Sequence, residues 1–261
     1  MAYDPQALLV AVVAGLACGF LNTVASSGSA VSLPILLALG LDPISANATN
    51  RIPVLLAGIT ASADLARRRV IPWRLAMRIT LPVTAGAVAG AMLAEAMPAH
   101  DLRLAITFAV LVALILLLTR LRDIINAAVT GEPRFGLREA ALFVLVGLWL
   151  GFIVLDGATY LLLALVFAVR LPLVQANAVK NVLLVPTTFA AMLVFASHGS
   201  IDWTLGLAMG LGSMAGGLIG ARVSVSPSAK RWIFGLLVAV IVGELIHLTA
   251  RYAADLPHSA G

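Results

Sequence analysis

Asn47, Asn50 and Arg51 stand at i, i+3 and i+4 in the stretch SANATNR, and Asn177, Lys180 and Asn181 repeat that spacing in QANAVKN. Residues three and four apart share one face of a helix, so each stretch presents two amides and one cation side by side. Amide N–H groups beside a fixed positive charge are what an oxyanion requires. Burying an arginine or lysine in hydrocarbon costs at least about 2.5 to 3.5 kcal/mol on insertion scales, so a cation retained there marks a functional site. The competing expectation is that Arg51 and Lys180, both within nine residues of their helix starts, snorkel to the interface or pair with an acid.

The surroundings of both stretches favour negative charge. Asp42-Pro43 and Leu171-Pro172 put proline in a first helical turn, where its missing N–H does no harm, and the positive end of the helix dipole faces whatever precedes it. Upstream, Asn22-Thr23-Val24-Ala25-Ser26-Ser27-Gly28-Ser29 interrupts one apolar run and Leu155-Asp156-Gly157-Ala158-Thr159-Tyr160 interrupts another. Irregular backbone at membrane depth is tolerated only where it is buried or lines a cavity; a surface loop is the plainer alternative. Asn22, Ser26, Ser27 and Ser29 therefore join the six helical residues as expected substrate ligands. Pro53 and Pro186 are expected to kink their helices and free a carbonyl, which suits a gate or a static packing role.

These residues must be held by membrane helices. Of 261 residues, 61% are hydrophobic and only 11% charged, with a mean hydropathy of +1.05, values of a polytopic membrane protein rather than a soluble domain. The net charge of +5 arises from arginines at segment ends, as the positive-inside rule requires, so nucleic acid is not an expected partner. The single cysteine, Cys18, excludes an internal disulfide and a thiolate metal cluster; no metal or other cofactor is expected. The opening MAYDPQ has no Lys or Arg ahead of its apolar run, unlike a cleaved signal peptide, so the first segment is expected to stay.

Shifted by about 130 residues, the chain matches itself. SANATNR falls on QANAVKN, Pro72-Trp73-Arg74-Leu75 on Asp202-Trp203-Thr204-Leu205, Gly86, Gly90 and Ala91 on Gly216, Gly220 and Ala221, and GLACGF on GLWLGF. Each half reads as four apolar blocks, at 7–41, 43–66, 74–97 and 101–121, then 138–170, 172–197, 203–224 and 230–250. The expected division is a first transmembrane repeat at 1–122, a cytoplasmic linker at 123–137, a second repeat at 138–251 and a tail at 252–261. Arg67, Arg68, Arg69, Arg74 and Arg78 mark one loop as cytoplasmic, whereas its counterpart SHGSID has no Lys or Arg. Equivalent loops on opposite sides mean inverted repeats, an arrangement of many secondary transporters. The expected fold is all-α and polytopic, with a broken or re-entrant first block in each repeat followed by three transmembrane helices, roughly 8 to 10 membrane segments in all.

Asp156 and Glu244 are the carboxylates placed to carry a coupling proton, since burial raises a carboxylate's pKa; pairing with Arg or Lys is the alternative. The Gly86-xxx-Gly90 and Gly212-xxx-Gly216-xxx-Gly220 rows read as close helix packing. An intramembrane hydrolase using Ser26 or Ser27 needs a base within reach, and His247, the one intramembrane histidine, lies near the opposite chain end. The chain lacks G-x-x-x-x-G-K-[ST], so ATP hydrolysis is not expected.

The chain resembles the TauE/SafE sulfite exporter family, also called the TSUP family of anion transporters, across nearly its whole length. The resemblance is carried by Gly19-Phe20 and Gly151-Phe152 before the two breaks, by LGLDPISANATNR and RLPLVQANAVKN, and by IPWRLA and IDWTLGLAMGLGSMAGGLIGAR. It implies a carrier, usually an exporter, in the bacterial inner membrane, moving small organic or sulfur-containing anions such as sulfite or sulfoacetate. The family's usual G-x-G-G-G run in the breaks is replaced by SSGSA and DGATY, so side chains stand where glycine would admit a backbone. The combined expectation is a non-enzymatic secondary transporter whose partners are a small anionic substrate and membrane lipid, with homo-oligomerisation left open. A passive channel is the rival of the same class.

Overall fold

The computed structural model describes residues 3–97, 133–155, 157–226, 228 and 235. Among them every regular element is a helix: α1 (Pro5–Ala25), α2 (Ser29–Ala38), α3 (Pro43–Thr49), α4 (Arg51–Arg67), α5 (Trp73–Ala96), α6 (Leu137–Phe152), α7 (Gly157–Phe167), α8 (Leu173–Ser197) and α9 (Trp203–Ser224). The expected blocks at 101–121 and 230–250, Asp156, Glu244, His247, the tail and most of the linker lie outside the described residues.

Helix starts follow local chemistry. Asp4 accepts the Gln6 N–H, Asp42 those of Ile44 and Ser45, and Asp202 that of Leu205; each satisfies a first-turn N–H that the helix itself leaves free. Helices α1, α5, α8 and α9, with 21, 24, 25 and 22 residues, are long and apolar enough to cross a membrane, reaching roughly 31 to 38 Å at about 1.5 Å per residue. By contrast α2 and α7 have 10 and 11 residues and reach only about 15 to 17 Å. The first block of each half is thus a longer helix, a break, and a half-length helix.

The two proline helices differ. Near Pro53 the helix is interrupted at Asn50, which ends α3 and caps α4; the pyrrolidine ring has no N–H for Thr49 and crowds that carbonyl. Helix α8 runs through Pro186 without interruption, so only one of the two expected kinks is a break in the helix.

Long helices pack across the halves, α1 against α9 and α5 against α6, while α4 lies between α8 and α9. Small residues permit this. A Cβ on Gly15 or Gly19 would overlap the carbonyl oxygen of Met209 or Ser213, and on Gly212 or Gly216 that of Val12 or Leu16. The other pair repeats the arrangement, with Gly147 and Gly151 on the carbonyls of Val83 and Ala87, and Gly86 and Gly90 on those of Val144 and Leu148. By these contacts Gly86 corresponds to Gly212 and Gly90 to Gly216, one helical turn from the sequence alignment. The α5–α6 crossing lies a turn further from its tryptophan than the α9–α1 crossing does.

Contacts between helix ends set the directions. The Tyr3 hydroxyl donates to Asp202 at 2.5 Å, the Asp202 N–H donates to Thr49 Oγ1 at 2.9 Å, and Ser200 Oγ donates to Glu95 at 2.6 Å. One end of the protein therefore gathers the starts of α1 and α9 with the ends of α5 and α8. The hydrogen bond to Asp202, with partial burial and the carboxylate charge, pushes Tyr3 up to about 12, so the phenol stays protonated at neutral pH. At the other end Arg134 bonds the carbonyls of Val169 and Ala168, and Ile71, Phe135, Val169 and Leu171 share one apolar cluster. This end holds the starts of α5, α6 and α8. Arg67, Arg68, Arg69, Arg74, Arg78, Arg134, Arg138, Arg170 and Arg222 lie here, whereas among the described residues the first end has Asp4, Asp42, Glu95 and Asp202 and no Lys or Arg. Trp73 and Trp203, both half exposed, open α5 and α9 at opposite ends, the positions of an aromatic belt.

Candidate functional site

The chain makes two helix ends inside the protein and fastens each with a cation from the other half. Helix α1 stops at Ser26, whose φ of 65° is left-handed and whose N–H bonds the Asn22 carbonyl. Helix α6 stops at Ile153 in extended backbone. The last carbonyls of any helix lack intrahelical donors and carry its negative dipole end, so inside a membrane they must find donors.

Arg51 supplies two for α6. Its Nη1 donates to the Leu150 carbonyl at 2.9 Å and its Nη2 to that of Gly151 at 2.5 Å, while its Cζ lies 4.7 Å from the centre of the Phe195 ring, within cation–π range. Asn47 completes this end, donating from Nδ2 to the Phe152 carbonyl and accepting the Val154 N–H, both at 3.0 Å. Lys180 does the same for α1: its Nζ donates to the carbonyl of Asn22 at 2.6 Å, to that of Thr23 at 3.3 Å and to Ser26 Oγ at 3.1 Å. Asn177 donates to the Thr23 carbonyl and Ser224 Oγ, and Asn181 to the carbonyls of Thr23 and Asn177.

Arg51 is 1% exposed and Lys180 0%, so neither snorkels, and neither has a carboxylate partner among the described residues. Each is held at a different helix end: Arg51 bonds the end of α6 and stacks on Phe195, whereas Lys180, earlier on α8, bonds the end of α1. The sequence pattern suggested two cations on one anion; each is instead committed to backbone carbonyls, because a broken helix end offers buried negative charge of its own.

Between the two ends the breaks touch. Thr159 Oγ1 donates to the Ser26 carbonyl at 3.4 Å, and Cys18, Val54 and Val154 form a small buried cluster. Ser32 Oγ donates to Asn50 Oδ1 at 2.6 Å, with Cys18 Sγ and the Gly28 carbonyl at 3.3 Å. Near the breaks the donors Asn22 Nδ2, Ser27 Oγ, Asn50 Nδ2 and Arg51 Nε are buried without a partner among the described residues, and Ser29 opens α2 buried. Asn22, Asn47, Asn50, Arg51, Ser26, Ser27 and Ser29 are thus gathered around the breaks, with Asn177, Lys180 and Asn181 beneath the end of α1. Pro53 borders this centre through α4; Pro186 is further along α8.

Sequence reasoning missed Ser32, Thr23, Thr159 and Phe195. Thr23 and Thr159 lie inside the two polar breaks and Ser32 one turn beyond Gly28, so position in the breaks was the usable signal for these three, whereas Phe195 carried none. His198 Nδ1 pairs with the Val194 carbonyl at 2.9 Å at the far end of α8, away from Ser26 and Ser27.

Comparison with known proteins identifies the family. The profile of the sulfite exporter TauE/SafE family matches residues 11–245. A probable membrane transporter protein, ORF9, of Sinorhizobium sp is 29% identical over 94% of this chain and 92% of its own. One of Xylella fastidiosa strain 9a5c is 29% identical over 90% and 94%, and the probable membrane transporter protein YfcA of Escherichia coli K12 is 26% identical over 94% and 91%. No solved structure gives a significant match. With membrane-length apolar helices and a family profile covering nearly all of it, this integral membrane protein belongs to the sulfite exporter TauE/SafE family.

Proposed function

We propose that the protein is a secondary transporter exporting small organic or sulfur-containing anions, such as sulfite or sulfoacetate, across the bacterial inner membrane. The observation that carries this reading is the set of buried donors at the breaks that have no partner among the described residues: Asn22 Nδ2, Ser27 Oγ, Asn50 Nδ2 and Arg51 Nε. A buried polar group without a partner costs about 1 to 3 kcal/mol, and an oxyanion entering the breaks would satisfy these at once. Arg51 and Lys180 supply positive potential there while their hydrogen bonds hold the helix ends. In this reading Ser26, Ser29, Asn47, Asn177 and Asn181 position the breaks, and Pro53 and Pro186 serve movement of α4 and α8. Asp156 and Glu244 are the coupling candidates.

The halves, 1–122 and 138–251 about a linker at 123–137, work in this reading as inverted repeats. Opposite starting ends for α1 and α6, and for α5 and α9, support it, as does the gathering of arginines at one end. In a Cys18→Ala background, a membrane-impermeant maleimide should label Ser200→Cys in intact cells and Arg69→Cys only after permeabilisation. Labelling of both from one side would defeat the arrangement.

The transport test uses proteoliposomes and radiolabelled sulfite. Wild type should exchange sulfite in a manner competed by unlabelled sulfoacetate. Ser27→Ala should lower the rate about tenfold, the worth of one lost hydrogen bond of ~1.4 kcal/mol, with little change in apo melting temperature. Asn50→Leu should lower the rate similarly while also lowering apo stability through the lost Ser32 hydrogen bond. Wild-type rates in both variants would remove these donors from the site, and currents far above carrier turnover would make the protein a channel.

A further inference from the structure

The Lys180 ammonium sits in a nest of neutral oxygens. Its Nζ contacts the carbonyls of Asn22 and Thr23 and Ser26 Oγ at 2.6 to 3.3 Å. At the same helix end, Asn177 and Asn181 turn their amide nitrogens onto the Thr23 carbonyl. Their Oδ1 atoms and Thr23 Oγ1 are buried with no donor among the described residues, and all three residues are 0% exposed. Helix-end carbonyls joined by side-chain oxygens are the ligand set that broken membrane helices offer to monovalent cations. The equivalent end of α6 is different: there a planar guanidinium bridges two successive carbonyls and stacks on Phe195, a fork that no spherical ion reproduces.

We propose that the end of α1 is a monovalent-cation cage, and that Lys180 fills it with a tethered ammonium in place of a free ion. The ligand class is a potassium-sized or ammonium-type cation, since contacts of 2.6 to 3.3 Å suit these better than the smaller sodium and lithium. The lysine stem runs through the protein to the cage, so cutting it back to Cβ leaves both the oxygens and room for methylammonium. This inference concerns the folded protein alone and stands independently of what is transported.

The test is the melting temperature of purified Lys180→Ala in choline chloride, methylammonium chloride, potassium chloride and lithium chloride at equal ionic strength. The variant should melt well below wild type in choline and regain roughly 5 °C or more in methylammonium or potassium, as a ligand bound only by the folded state requires, with little response to lithium. Wild type, and Lys180→Met with its cage blocked by an uncharged stem, should not distinguish the salts. Equal behaviour of Lys180→Ala in all four salts would overturn the proposal. So would the same potassium response in Arg51→Ala, whose helix end offers no cage. Failure of Lys180→Ala to fold even with methylammonium present from extraction onward also counts against it, because a refilled cage restores what the truncation removes.

Discussion

Arg51→Ala is expected to lower the melting temperature of the purified, ligand-free protein by roughly 10 °C. The substitution leaves the carbonyls of Leu150 and Gly151 buried without donors, at about 1 to 3 kcal/mol each, and strips the cation from Phe195. For a chain of this size each kcal/mol corresponds to about 2 to 4 °C. Arg51→Lys should recover only part of the loss, because a compact ammonium cannot span two successive carbonyls as the planar fork does. The result separates two roles. A residue that served only as a substrate ligand would leave apo stability nearly unchanged when truncated and would abolish the stabilisation added by sulfite. A clamp on α6 lowers apo stability whether or not sulfite is present. Differential scanning fluorimetry of the three proteins, with and without sulfite, reads both quantities, and an apo melting temperature equal to wild type in Arg51→Ala would refute the clamp.

That clamp shows where the sequence is readable and where it stops. Asn47, Asn50 and Arg51 are buried rather than interfacial, but the break at Asn50 divides the helix face that their i, i+3, i+4 spacing assumed. Asn50 meets Ser32, whereas Asn47 and Arg51 meet the end of α6. What they engage was hidden, because Leu150, Gly151 and Phe152 act through their carbonyls, and every residue has a carbonyl. Only the three-dimensional end of α6 distinguishes those from the rest. The same holds for Thr23, whose carbonyl accepts from Asn177, Lys180 and Asn181. The breaks themselves were legible in Ser26-Ser27-Gly28 and in the polar residues after Leu155, since apolar helices do not carry such runs without cause. Glycine rows announced close packing but not its register, as a four-residue period admits several alignments one turn apart. Carbonyls of the facing helix chose among them.

Gly19→Ala and Gly151→Ala should each reduce folded yield sharply, and their sign is the decisive feature. Glycine within a helix is normally worse than alanine by about 0.8 to 1 kcal/mol, so on propensity alone both changes would stabilise. Here the new methyl meets the Ser213 carbonyl oxygen in one case and that of Ala87 in the other, with backbone Cα and C atoms of the same residues immediately behind. Backbone cannot turn aside as a side chain can, so α1 must back away from α9, or α6 from α5. Overpacking of this kind typically costs 1 to 3 kcal/mol or more. The separation also loosens both cation clamps: Gly19 lies one turn before Asn22 and Thr23, whose carbonyls Lys180 holds, and the Gly151 carbonyl is itself a ligand of Arg51. Gly40→Ala provides the contrast, since its φ of 96° is strained for alanine but no atom lies within 4 Å of the added Cβ, and about 1 to 2 kcal/mol of backbone strain is all it should incur. Fluorescence-detected size exclusion of the three variants should show aggregated or lost protein for Gly19→Ala and Gly151→Ala and a wild-type peak for Gly40→Ala. If the two helix variants instead melted at or above wild type, the α1–α9 and α5–α6 backbones could not be as close as described, and the crossed packing that brings each cation to the opposite half's helix end would lose its basis.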